Sequence, residues 1–122
     1  MDRYNYALKK DIHNFDVVYS IGALYFNKAA TMTNDLNDLS MDFSKEGMKK
    51  YDLKKKEMVQ QFDLALPHFQ KAESLRRNDM STLIALKEIY AKKNDLKLMK
   101  EFKKRLEIVQ NGGTNPTSYF KL

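Results

Sequence analysis

From Val18 onward the chain sets an apolar residue every three or four positions for long stretches. Val18, Gly22, Tyr25, Ala29, Met32, Leu36 and Leu39 make one run; Tyr51, Met58, Phe62, Ala65, Phe69 and Ala72 make another. Steps of three and four return side chains to one helix stripe, so each run predicts a helix, and the facing stripes predict an antiparallel two-helix seam. Asn, Asp and Ser cluster between residues 37 and 44, which puts the turn there and makes Ser44 the cap of the returning helix. Its tip would carry Leu39, Met41, Phe43 and Met48.

Two residues break the helical habit. Gly22 lies in the middle of VVYSIGALYFNKA, where glycine costs roughly 1 kcal/mol relative to alanine. Compensation requires another helix to come close, and the Ala65 and Phe69 region is the expected neighbour. Pro67 removes a hydrogen bond at a cost of about 3 kcal/mol. It is read as a kink where the long helix leaves the rest of the domain, with a break at 64–66 as the alternative.

The chain also matches itself at an offset of 65 residues. Tyr4 falls on Phe69, Ala7 on Ala72, Val18 on Leu83, Ile21 on Leu86, Leu24 on Ile89 and Tyr25 on Tyr90. The polar pair His13-Asn14 falls on Asn78-Asp79, so both pairs are expected to end one helix and cap the next. Val18, Ile21-Gly22 and Tyr25, followed by Ala65, Phe69 and Ala72, resemble the two helices of a tetratricopeptide repeat. An ordinary repeat has a period of about 34 residues. Tyr25 and Ala65 stand 40 apart here instead of about nine, so 31 residues are inserted, which accounts for the offset of 65. The departures are Lys87 in place of the second glycine, Ile12 and Arg77 where a proline commonly closes the repeat, and Met99, Phe102 and Leu106 in the last helix.

The resemblance implies an all-α fold of antiparallel helix pairs, a fragment of an α-α superhelix with two unusually long helices forming a projecting hairpin. Residues 1–110 would be the helical domain: 1–14 the end of a preceding repeat's second helix, 15–79 an expanded repeat with its insertion at about 30–60, and 80–109 a last repeat or capping helices. Residues 111–122 would be a flexible tail after Gly112-Gly113, with Tyr119 and Phe120 able to dock on a neighbour. Each arm of the insertion would add roughly 20 Å of helix.

In this family the first helices of successive repeats line a groove for a peptide or partner helix. By register that groove would present Asp16, Tyr19, Ala23, Phe26 and Asn27, then Ser81, Ile84, Glu88, Ala91 and Lys92. Asp16, Tyr19, Phe26, Asn27, Ile84, Glu88 and Lys92 are the candidate partner-binding residues, with Tyr19 and Phe26 as aromatic anchors. Tyr19 and Ala23 stand where chaperone-binding members carry a carboxylate clamp, so that specialisation is not implied. The chain opens inside what would be a second helix, leaving Tyr4, Tyr6, Ala7 and Leu8 as an apolar face. More repeats upstream are expected on this reading, and a homodimer through that face or through the hairpin.

Composition narrows the function. There are 122 residues, enough for one domain with a core, and only four Gly and two Pro, as long helices require. No apolar run approaches the ~18 residues of a membrane span. Cysteine is absent, and His13 and His68 have no second histidine at helical spacing, so no metal set is read. Phosphate-binding glycine loops and nucleophile elbows are missing too. The expectation is a non-enzymatic protein-protein interaction scaffold with no cofactor, holding a protein or peptide partner. The net charge of +6 supports one alternative, a basic helical nucleic-acid-binding module. Its contacts would come from Arg76, Arg77, Lys92, Lys93, Lys103, Lys104 and Arg105, although the aromatics fall at core spacing rather than between these charges.

Overall fold

A computed structural model describes residues 11–39, 41 and 43–121. Four helices, α1 (Asp11–Leu39), α2 (Lys45–Leu75), α3 (Met80–Lys92) and α4 (Leu96–Gln110), make up 80% of it with no strand among the described residues, so the protein is all-α. None of these helices is long and apolar enough to cross a membrane. The expectations for residues 1–10 lie outside the described residues.

α1 and α2 lie side by side in opposite directions. Phe15 sits under the Arg76 guanidinium at 4.4 Å, Phe26 meets Phe62 edge-on at 5.5 Å, the Thr33 hydroxyl reaches Met58 Sδ at 3.1 Å, and Asp35 pairs with Lys54 at 3.5 Å. Residue number rises along α1 as it falls along α2. The seam between them buries Ala29, Leu36, Met58, Phe62, Ala65 and Phe69, as steps of three and four dictate. Gly22 is buried in this seam: a Cβ there would lie 3.1 Å from the Phe69 ring and 3.2 Å from His68 Cβ. Ser44 caps α2 by accepting the Gly47 amide at 3.0 Å, and α2 continues through Pro67 without a break. Met41, Phe43 and Met48 stand exposed at the connection.

α2 also packs on α3, and α3 on α4. Leu83, Leu86, Ile89, Phe102 and Leu106 complete the core, and Tyr90 stacks on Phe102 at 5.7 Å. Covered on both sides, Leu83, Leu86 and Ile89 are fully buried. Their register mates on α1 are not: Val18 and Ile21 are half-buried and Leu24 is 71% exposed, because among the described elements the main packing partner of α1 is α2.

Two expectations are corrected. His13-Asn14 does not separate helices, since α1 runs through both residues. A polar pair without glycine or proline costs only tenths of a kcal/mol inside a helix; Phe15 and Val17, buried just beyond it, hold the segment in place. At the matching position, Asp79 does cap α3, its carboxylate accepting the Thr82 amide at 2.9 Å. The second correction concerns residues 111–121, which are laid against the helices rather than left loose. Phe120 stacks on Phe102 at 5.7 Å, and Tyr119 meets the same ring edge-on at 5.4 Å. Asn115 is buried, its amide donating to Asn78 Oδ1 at 2.7 Å. The physical reason is Glu73, a fully buried carboxylate that draws the backbone amides of this segment to itself.

Candidate functional site

Between α1 and α3 the surface dips into a concavity of about 250 Å³ lined by Tyr19, Ala23, Phe26, Asn27, Phe69, Ser81, Ile84 and Ala85. Its α1 wall follows from spacing: positions 19, 23, 26 and 27 lie along one stripe of a continuous helix. The α3 wall is the stripe 81, 84 and 85, fixed in rotation by the Asp79 cap, which holds both the amide and the hydroxyl of Thr82. Phe69 is the floor. Tyr19 and Phe26 stand edge-on to its ring at 5.6 and 6.0 Å, and Phe15 stacks on Tyr19 at 5.8 Å. The two wall aromatics are therefore half-buried and braced from below, with their outer edges open to solvent.

Among the described residues no charged side chain lines the concavity, and the polar groups there are Asn27, Ser81 and the Tyr19 hydroxyl. Ile84 is an exposed large hydrophobe there. Small-molecule sites usually enclose ~300–1,000 Å³. The dip here, at about 250 Å³, falls below that range.

Of the candidate partner-binding residues, the structure brings Tyr19, Phe26, Asn27 and Ile84 together with Ala23 and Ser81. Asp16, Glu88 and Lys92 do not line the concavity; they lie further along α1 and α3, Asp16 exposed and the other two half-buried. Phe69 and Ala85 line it although register assigned neither to the groove. Phe69 reads as core from its spacing, and it is core; its ring edge also closes the bottom of the dip.

A larger hollow of about 540 Å³ lies between the long helices, lined by Asp35, Asp38, Lys50, Leu53, Lys54 and Glu57. Its charges are of both signs, and Asp35 and Lys54 pair across it. Among the described residues no cluster of three or more His, Cys, Asp or Glu could hold a metal ion.

The basic residues considered for nucleic acid are largely committed within the fold. Arg76 covers Phe15, and Arg77 Nε donates to the Asn115 carbonyl at 2.6 Å. Lys93 pairs with Asp63, and Arg105 binds Glu101 and the Thr117 carbonyl while lying 3.8 Å from Glu73. Lys103 and Lys104 are exposed on α4. Comparison of the chain with protein-family models, curated proteins and solved structures finds no match.

Proposed function

We propose that this protein is a non-enzymatic interaction module of the tetratricopeptide-repeat kind, which holds an apolar segment of a protein partner between α1 and α3. On this reading α1 and α2 are the two helices of one expanded repeat, their far ends form a projecting hairpin, and α3 and α4 are a terminal repeat. One observation carries the proposal: Tyr19, Ala23, Phe26 and Asn27 on one helix face Ser81 and Ile84 on another across a dip that no charged side chain lines among the described residues. Aromatic anchors braced on a rigid floor supply contact area at little entropic cost, which is the character of interface hot spots. The half-buried and exposed outer face of α1, with Val18, Ile21 and Leu24, is where a further helix layer would pack.

Nucleic-acid binding is the weaker reading, because four of its seven proposed cations already have intramolecular partners. The test is affinity capture with the intact protein, Tyr19→Ala plus Phe26→Ala set against Lys103→Ala plus Lys104→Ala. The aromatic pair is expected to cost the principal partner at least about tenfold in recovery, each anchor being worth ~1–2 kcal/mol, while the lysine pair leaves recovery unchanged. Retention by the first variant and loss by the second would reverse the assignment.

A further inference from the structure

Glu73 is the one charged side chain among the buried residues described; Arg105 lies 3.8 Å from its carboxylate, and backbone amides of the C-terminal segment bond to it. Its carboxylate accepts the amides of two consecutive residues, Tyr119 at 2.7 Å and Phe120 at 3.0 Å. Its own carbonyl accepts the Ser118 hydroxyl at 3.2 Å. Asn78 Oδ1 takes both the backbone amide and the side-chain amide of Asn115, at 2.7 and 3.1 Å. The Phe102 ring supplies an apolar shelf to Tyr119 and Phe120. Main-chain amides read by fixed acceptors, with a surface for particular side chains beside them, are how proteins receive extended peptides.

We infer that α2, the turn after it and α4 form a recognition groove for an extended segment bearing a serine followed by two aromatic residues, which residues 115–120 fill in cis as a releasable strap. The strap joins α4 through Gly112 and Gly113. Gly112 has φ +84° with nothing within 4 Å of where its Cβ would be, while the Gly113 amide is bonded to the Ile108 carbonyl at 2.8 Å. Tyr119 is 40% exposed, which leaves the strap's outer side to solvent and favours local opening. A free segment of the same chemistry satisfies Glu73 and Asn78 as the strap does. The groove shares no residue with the α1–α3 concavity, so the inference stands independently of the function proposed above.

The test uses a labelled synthetic peptide, NGGTNPTSYFKL, titrated against the full chain. In the intact protein the tethered strap competes at millimolar effective concentration. Phe120→Ala weakens the strap but leaves Glu73, Asn78 and Phe102 in place. This variant is expected to bind the peptide at least about tenfold more tightly than the intact chain, and adding Glu73→Gln is expected to abolish the gain. Equal binding by intact and Phe120→Ala chains, or a gain that survives Glu73→Gln, would overturn the inference. If Phe120→Ala lowers helical circular dichroism, hydrogen exchange of the intact chain decides. Tyr119 and Phe120 amides exchanging well ahead of the α3 amides supports a releasable strap; exchange together with α3 makes the segment an integral part of the core and refutes it.

Discussion

Gly22 faces a ring that has little room to move. Phe69 is fully buried between Tyr19, Phe26 and the seam, and its ring lies 3.1 Å from the position of an added methyl group. Helix propensity alone would make Gly22→Ala stabilising by about 1 kcal/mol; crowding against Phe69 and His68 is expected to cancel that gain. Gly22→Leu is expected to lose about 2–3 kcal/mol through overpacking. Urea denaturation of both variants checks the pair, and a full propensity gain for alanine would show the approach to be looser. Tyr90 makes a second prediction. Burial pushes its phenol above the ordinary value near 10, against a smaller lowering by the hydrogen bond from Gln70. The folded state thus holds the proton more tightly than the unfolded chain. The associated stability is complete below about pH 10 and is lost as pH rises through the raised folded value. Thermal melts across that window are expected to show a fall in Tm with a component that Tyr90→Phe removes.

At the scale of elements, the boundaries are set by caps. α3 ends with Asn94 in the left-handed region at φ 59°, its amide bonded to the Ala91 carbonyl and the next amide, of Asp95, to that of Tyr90. α4 ends the same way at Gly112, with Gly112 bonded to Val109 and Gly113 to Ile108. Gly112→Ala is expected to destabilise by about 1 kcal/mol, read from the shift in urea midpoint; no change would mean that the strap does not depend on this turn. Caps of this kind were legible where one residue does the work locally, as at Ser44 and Asp79. The stripe Ala29, Leu36, Met58, Phe62, Ala65, Phe69 was legible because period reports burial directly. His13-Asn14 misled because a polar pair permits a helix end without requiring one. The C-terminal segment was hidden for another reason: its partners Glu73 and Asn78 lie some 37 to 47 residues earlier, and no local pattern reports so distant a bond.

At the scale of the molecule, α2 is the central element, packed by α1 along one side and α3 along another, with α4 beyond α3. The groove positions carried over by register included Tyr19, Ala23, Phe26 and Asn27 on one helix and Ser81 and Ile84 on the other, and the structure sets these six around one dip, although only Tyr19 and Ile84 are mates at the offset of 65. Asp16, Glu88 and Lys92 fall outside it, since register orders residues along a helix but does not say where two helices stand close enough to share a wall. The direct measurement of the proposed role is site-specific photo-crosslinking of the intact protein in its own cells. A photoreactive side chain at Asn27, on the rim of the dip, is compared with one at the exposed Glu57 on α2. A discrete protein adduct at Asn27, absent at Glu57 and lost when Phe26→Ala is added, is the expected result. Adducts identical at both positions, or nucleic acid in place of protein at Asn27, would contradict it.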